Sequence, residues 1–282
     1  MATTTAPTAT PPVEAGNGGQ GGLVRFVRRH VLTAYTIGAF LYLFLPVFIV
    51  ILFSFNDNQG RFNFTWQRFT LKHWGNAFGI PNLFDSLVTS FQIALISAAI
   101  ATTLGTLIAL ALVRYHFRGR ATTNLLLFLP MATPEVVLGS SLLAFFLTLQ
   151  VARGFWTIVV AHIMFNISYV VVTVKARLTG FDRHLEEAAM DLYANEWTTF
   201  RKVTLPMIMP GVFAAFLLGF ALSFDDFIIT NFNSGQTVTF PLYIWGAARI
   251  GVPPQVNVFG TAIFVITVSI MFLNVYVQRR RA

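Results

Sequence analysis

Long apolar stretches alternate with short polar segments along this chain. Each stretch holds about 20 residues or more, the length that a helix needs to cross the hydrocarbon core of a membrane. The pattern therefore predicts an all-α membrane protein with six transmembrane helices. The six predicted spans are Val31–Phe55, Ser86–Val113, Asn124–Leu149, Phe155–Val174, Met207–Thr230 and Val258–Val277.

One polar segment, Glu186–Gly211, differs from the other connections because it is long and amphipathic. Read as a helix, its beginning places apolar residues on one face at i, i+3, i+4 and i+7, while acidic residues occupy the other faces. Two prolines follow closely. The apolar face comprises Leu185, Ala188, Ala189 and Leu192, and the prolines are Pro206 and Pro210.

The distribution of basic residues predicts the orientation. With the amino terminus inside, the inner segments hold 14 of the 19 Lys and Arg residues and the outer segments hold 5. Basic residues concentrate on the cytoplasmic side of membrane proteins. Both termini are therefore expected in the cytoplasm, together with the amphipathic segment.

Composition supports a membrane protein: 55% of the residues are hydrophobic and 11% are charged, and the mean hydropathy is +0.67. The chain has no Cys, no phosphate-binding G-x-x-x-x-G-K-[ST] motif and no HExxH motif. We expect no catalytic residues, no metal site and no cofactor bound by this chain. The net charge of +8 comes from Lys and Arg residues that lie mostly in the inner segments, as membrane topology predicts, so no nucleic-acid partner is expected. Residues 1–22 are predicted to be a disordered cytoplasmic tail, and residues 23–282 a membrane domain.

Acidic residues inside the apolar stretches are costly to insert and need a partner or water. Glu135 lies within the third predicted span, where it either lines a path or bonds to a neighbouring helix. Asp225 and Asp226 interrupt the fifth. Because no Lys or Arg lies in these spans, the acids favour a cationic cargo over an anionic one. His162, Asn166 and Ser168 are interpreted as interhelical hydrogen-bonding residues.

Small residues recur once per turn in the second predicted span, at Ser97, Ala101, Gly105 and Ala109. Such a stripe lets another helix approach closely. It predicts a packing face, either within this subunit or toward a second one.

The motifs EEAAMDLYANEWTTFRKVTLPMIMPG, LPMATPEVVLGSSLL and ALSFDDFIITNFNSG resemble the permease subunits of type I ATP-binding-cassette (ABC) importers. They are most similar to the C-type spermidine/putrescine permeases. The resemblance implies a cytoplasmic coupling loop, the EAA loop, at about 179–211. Its coupling residues would be Glu186, Glu187, Ala188, Ala189, Asp191 and Glu196, and the substrate path would contain Glu135, Ser223, Phe224, Asp225, Asp226 and Tyr243. The chain departs from the family pattern at Tyr193, where a Gly is expected; this implies a different turn or a complementary change in the ATPase.

The resemblance also implies a multi-pass protein of the bacterial inner membrane. Its partners would be a second homologous permease subunit, two cytoplasmic ABC ATPase subunits and an extracytoplasmic substrate-binding protein. ATP and Mg would be bound by the ATPase. The alternative within the class is a permease for another small solute, such as an opine, an aminophosphonate, ferric ion or a sugar. A proton- or sodium-coupled transporter would also use intramembrane carboxylates but would not need the amphipathic cytoplasmic helix.

Overall fold

The computed structural model describes residues 20–60 and 62–281 as a set of helices joined by short connections. The predicted disordered tail lies outside the described residues, except that residues 20–22 belong to the first helix. The helices are α1 (Gln20–Phe53), α2 (Lys72–Gly75), α3 (Pro81–Arg114), α4 (Arg120–Ala132), α5 (Glu135–Thr148), α6 (Phe155–Thr179), α7 (His184–Asp191), α8 (Glu196–Thr199), α9 (Leu205–Phe224), α10 (Ile228–Asn233), α11 (Phe240–Ile250) and α12 (Pro254–Arg281).

Five continuous helical segments of the described chain are long and apolar enough to cross a membrane, and a sixth candidate is broken. The predicted third span, Asn124–Leu149, is wrong as a single helix: α4 and α5 meet at 107°. The cause is Pro134, which disfavours helical geometry in the residue before it. Thr133 is accordingly extended, with ψ 133°, and its amide closes α4 by donating to Leu129 O at 2.9 Å.

The predicted fifth span, Met207–Thr230, is also wrong at its far end. Helix α9 stops at Phe224, residues 225–227 are not helical, and the short helix α10 follows. At its near end the helix is longer than predicted. A π-helical turn, Phe200–Thr204, joins α8 to α9 and makes one apolar segment from Glu196 to Phe224. Pro206, which has no amide hydrogen to donate, lies two residues after this turn.

Helices α3, α6 and α9 form the centre of the structure. The small-residue stripe of α3 is buried, and at Gly105 it packs tightly against α6. A Cβ added to Gly105 would lie 2.6 Å from Val170 Cγ1 on α6, so no side chain fits there. Of the two alternatives left open by the sequence, the stripe therefore packs within this subunit.

A buried side-chain amide, Asn56, helps to hold the connection between α1 and α3. The Asn56 side chain is fully buried, and its Nδ2 donates to Asn63 Oδ1 at 2.7 Å and to Thr65 O at 2.8 Å. Its Oδ1 accepts the Gln67 amide at 2.8 Å. Because all three bonds cross the connection, a segment without regular structure keeps a defined shape.

Candidate functional site

The first candidate site is the loop between α6 and α9, and its exposed surface is largely apolar. Helix α7 exposes Glu187, Ala188 and Asp191, while Ala189 is half-buried. Large side chains beside the helix extend into solvent. Their exposed fractions are 43% for Leu185, 82% for Leu192, 100% for Tyr193 and 67% for Trp197. An exposed apolar surface with acidic residues at its edge is the character of a protein-docking surface.

Glu186 differs from its neighbour Glu187 because it faces its own chain. Its carboxylate accepts hydrogen bonds from the Arg114 guanidinium and the Thr204 hydroxyl. Arg183 adds a second connection by donating to Val113 O at 3.1 Å. Two interactions therefore join the loop to the last turn of α3. Glu196 lines a cleft of about 200 Å³ beside this cluster.

The turn after α7 has the geometry that usually requires glycine. Tyr193 has φ +64°, in the left-handed region. The Tyr193 amide donates to Met190 O at 2.9 Å and the Ala194 amide donates to Ala189 O at 3.2 Å, which is the hydrogen-bond pattern of a Schellman motif. The sequence left open a different turn or a changed ATPase. The structure retains a glycine-type turn, with a tyrosine in the strained position.

Replacing Tyr193 with Gly should stabilise this turn, because a non-glycine residue in the left-handed region costs about 1–2 kcal/mol and glycine offsets part of that gain by its backbone freedom. Hydrogen exchange of the α7 amides in the purified complex would show it as slower exchange. Tyr193→Ala is the matched control, since it removes the same ring but keeps a Cβ at positive φ. Equal exchange rates in the two variants would show that the left-handed backbone at position 193 is not strained.

A small ionic contact begins α7. Asp182 Oδ1 accepts the His184 amide at 3.0 Å and contacts His184 Nδ1 at 2.7 Å. This hydrogen bond raises the pKa of His184 and lowers the pKa of Asp182. The contact therefore stabilises the start of the helix below the ordinary pKa of histidine and is lost as the pH rises through the raised value. Both groups are exposed, so water screens the contact.

The second candidate site is the helix break at residues 225–227. The exposed Asp225 lies at the end of α9 and lines a cavity of about 510 Å³ against α11. No basic side chain lies within 4 Å of this carboxylate in the part of the chain that the structure describes. Aromatic rings form much of the remaining wall: Phe224, Phe227, Phe240 and Trp245.

The adjacent Asp226 points into the protein instead. Its Oδ2 accepts the Thr230 amide and hydroxyl, each at 2.7 Å, and lies 3.2 Å from His162 Nε2. His162 Nδ1 is 2.6 Å from Ser223 Oγ, which in turn is 2.9 Å from Ser97 Oγ. These five side chains are called the buried network below. They are at most 7% exposed.

Ser223, His162 and Asp226 contact one another in the order Ser–His–Asp, as in the catalytic triad of some hydrolases. The sequence analysis did not predict this arrangement. A nucleophile must reach its substrate, and Ser223 is only 5% exposed and already bonded to a second serine. The arrangement connects helices α3, α6, α9 and α10. It fits the interhelical role that the sequence predicted for His162.

The structure does not gather all the predicted path residues at the Asp225 cavity. Glu135 is exposed at the first residue of α5, beyond the cavity wall. Tyr243 packs in the cluster around Phe240, Val256 and Phe259. Sequence reasoning missed Trp245, which lines the cavity and carries the Arg249 guanidinium 4.9 Å from its ring centre. An aromatic residue four positions before an arginine carried no distinct signal in the sequence.

The membrane-crossing helices and the amphipathic loop between two of them are the features of a multi-pass transport permease. A family profile described as "Binding-protein-dependent transport system inner membrane component" matches residues 101–282. The chain belongs to this family of inner-membrane importer subunits, whose members are non-catalytic.

Named relatives and a solved structure agree with the family assignment. The chain is 38% identical to the Spermidine/putrescine transport system permease protein PotC of Escherichia coli K12, over 90% of this chain and 95% of the relative. It is 34% identical to the Putrescine transport system permease protein PotI of the same strain, over 86% and 88%. The fold matches a bacterial ABC transporter involved in the import of the acidic polysaccharide alginate, with a TM-score of 0.63, 16% identity, and 96% and 99% of the two chains covered.

Proposed function

We propose that this chain is the C-type permease subunit of an ATP-driven polyamine importer and forms half of the path for spermidine or putrescine. The observation that carries the proposal is the Asp225 cavity. There one carboxylate, which has no ion-pair partner among the described residues, lies among aromatic rings. The names of the two curated relatives support the same cargo.

The chemistry of the cavity fits an alkylammonium ion. A carboxylate gives a charge-assisted hydrogen bond to an ammonium group, and ring faces attract cations by about 0.5–2 kcal/mol. The rings also bury the methylene groups between charges. Arg249 already places a cation near the Trp245 ring at 4.9 Å, so this ring accepts a cation at that distance.

Glu135 would be a second, separate acidic position along the path. It is exposed at the start of α5, and α5 packs against α10, which follows the helix break. A linear polycation with charges at several positions suits carboxylates that are spaced rather than clustered. Such contacts must also be weak enough for cargo to leave.

The loop around α7 would dock the ATPase, which supplies ATP hydrolysis and its Mg. Glu187, Ala188 and Asp191 are exposed for that contact, and Glu186 attaches the same helix to α3. A second homologous permease would complete the path, with two ATPase subunits on the cytoplasmic side. An extracytoplasmic binding protein would deliver the cargo.

The test is reconstitution of this chain in vesicles with the products of its neighbouring genes. Putrescine and spermidine should stimulate ATP hydrolysis and accumulate in the vesicles, because both match the cavity. A sugar, an aminophosphonate and a ferric complex are the comparison solutes. Transport of one of these with no uptake of either polyamine would overturn the cargo and leave only the importer class.

A further inference from the structure

The buried network spans the helix break that presents Asp225. Ser223 lies on α9 before the break, Asp226 lies within it, and Thr230 lies on α10 after it. His162 on α6 contacts both sides, with Nδ1 at 2.6 Å from Ser223 Oγ and Nε2 at 3.2 Å from Asp226 Oδ2. Its side chain is 2% exposed, so these contacts are shielded from water.

The carboxylate of Asp226 is occupied by donors from its own chain. Besides His162, it accepts the Thr230 amide and hydroxyl through Oδ2, and its Oδ1 accepts the Ile229 amide at 3.3 Å. These bonds stabilise the first turn of α10. A carboxylate used in this way holds the backbone after the break in place.

The contacts on either side of Asp225 explain why its side chain points elsewhere. Ser223 and Asp226 both contact His162, so both face α6. Asp225 lies between them along the chain and is exposed to the cavity against α11. Fixing the positions on either side of Asp225 therefore fixes its direction.

We propose that His162 is a positioning residue that clamps both sides of the break and thereby directs the Asp225 carboxylate into the aromatic cavity. In this arrangement Ser223 and Asp226 act through His162 rather than by touching cargo. This inference rests on the proposed function at one point, the contact between Asp225 and the cargo. The geometry itself can be tested without transport.

The natural absence of cysteine allows a direct probe of these positions. In the assembled complex in lipid nanodiscs, Asp225→Cys should react readily with a small cationic methanethiosulfonate reagent. Asp226→Cys should react at least about tenfold more slowly because access controls thiol reactivity. Adding His162→Leu to Asp225→Cys should change its rate about fivefold or more, the factor expected from losing one buried hydrogen bond.

Asn166 provides the matched control. It lies one turn along α6, is fully buried, and donates to Gly219 O on α9 at 3.2 Å without touching the break. Asn166→Leu should leave the rate at Asp225→Cys within about twofold, because it removes a bond of similar strength elsewhere. His162→Gln, which keeps a donor toward Asp226, should lie between the parent and His162→Leu and also serves if the Leu variant fails to assemble.

A transport measurement completes the test. In uptake normalised to assembled complex, His162→Gln should lower the rate in the natural background but have little further effect when Asp225→Asn is present, since both act through one carboxylate. An unchanged modification rate at Asp225→Cys in both His162 variants would overturn the positioning role, and so would independent, multiplying effects on uptake. If the complex carries no polyamine, the cargo proposal fails while the modification rates still decide the geometry.

Discussion

Replacing Glu187 with Lys is expected to detach the ATPase or to uncouple it from transport. The side chain of Glu187 is exposed on α7 and makes no hydrogen bond or ion pair with the described chain, so its replacement leaves the fold of this subunit intact. Truncating one partner of a charged interface contact costs about 2–5 kcal/mol, and a reversed charge adds repulsion. Co-purification of the ATPase and cargo-stimulated hydrolysis are the two measurements.

The matched control for this substitution is Asp85→Lys. Asp85 is an exposed acid near the beginning of α3, at the predicted outer end, and takes the same change of charge. It should retain the ATPase. Glu187→Gln should give an intermediate loss, because it removes charge without reversing it. Full retention of the ATPase and of stimulated hydrolysis in Glu187→Lys would show that α7 is not the coupling helix.

Replacing Asp225 with Asn is expected to lower polyamine uptake about ten- to a hundredfold while the ATPase stays bound. The reason is loss of a charge-assisted hydrogen bond, worth about 1.5–3 kcal/mol, in a cavity that offers no second carboxylate among its lining residues. Uptake of labelled spermidine and putrescine, normalised to assembled complex, is the measurement. Glu135→Gln should also lower uptake if the path passes the start of α5.

Asp226→Asn should lower uptake for a different reason. Both Asp226 oxygens now accept hydrogen bonds, Oδ2 from the Thr230 amide and hydroxyl and Oδ1 from the Ile229 amide. Asn would replace one of these oxygens with a donor, so this variant should also assemble less well. Asp225→Asn should assemble normally because its side chain is exposed. Normal uptake per complex in the Asp225, Asp226 and Glu135 variants together would defeat the cationic path.

The sequence predicted the parts of the fold that depend on composition along one helix. The spans Ser86–Val113 and Phe155–Val174 correspond to α3 and α6 within a few residues, because hydropathy and length alone determine which segments enter a membrane. The prediction of spans failed where a helix is broken locally. Pro134 and Asp225 lie inside apolar runs, and the average hydropathy of each run predicts one continuous span. Orientation of the termini stays a prediction.

The sequence also marked both functional regions without separating their residues. It assigned Glu186 and Glu187 together to ATPase coupling, and Asp225 and Asp226 together to the substrate path. Adjacent side chains point in different directions, about 100° apart on a helix such as α7, so only the packed structure assigns one member of each pair inward. Arg114 donates a hydrogen bond to the Glu186 carboxylate, and His162 contacts the Asp226 carboxylate.

What the sequence determined by itself is therefore the kind of protein: a membrane-crossing chain with an amphipathic loop and acids in its apolar segments. These features are carried by consecutive residues and need no long-range contact. Tertiary structure alone decided which side chains meet. His162 and Asp226 are 64 positions apart, and Arg114 and Glu186 are 72 apart. Such pairings form only when α3, α6 and α9 pack together, because residues so far apart along the chain come within hydrogen-bond distance only in the packed structure.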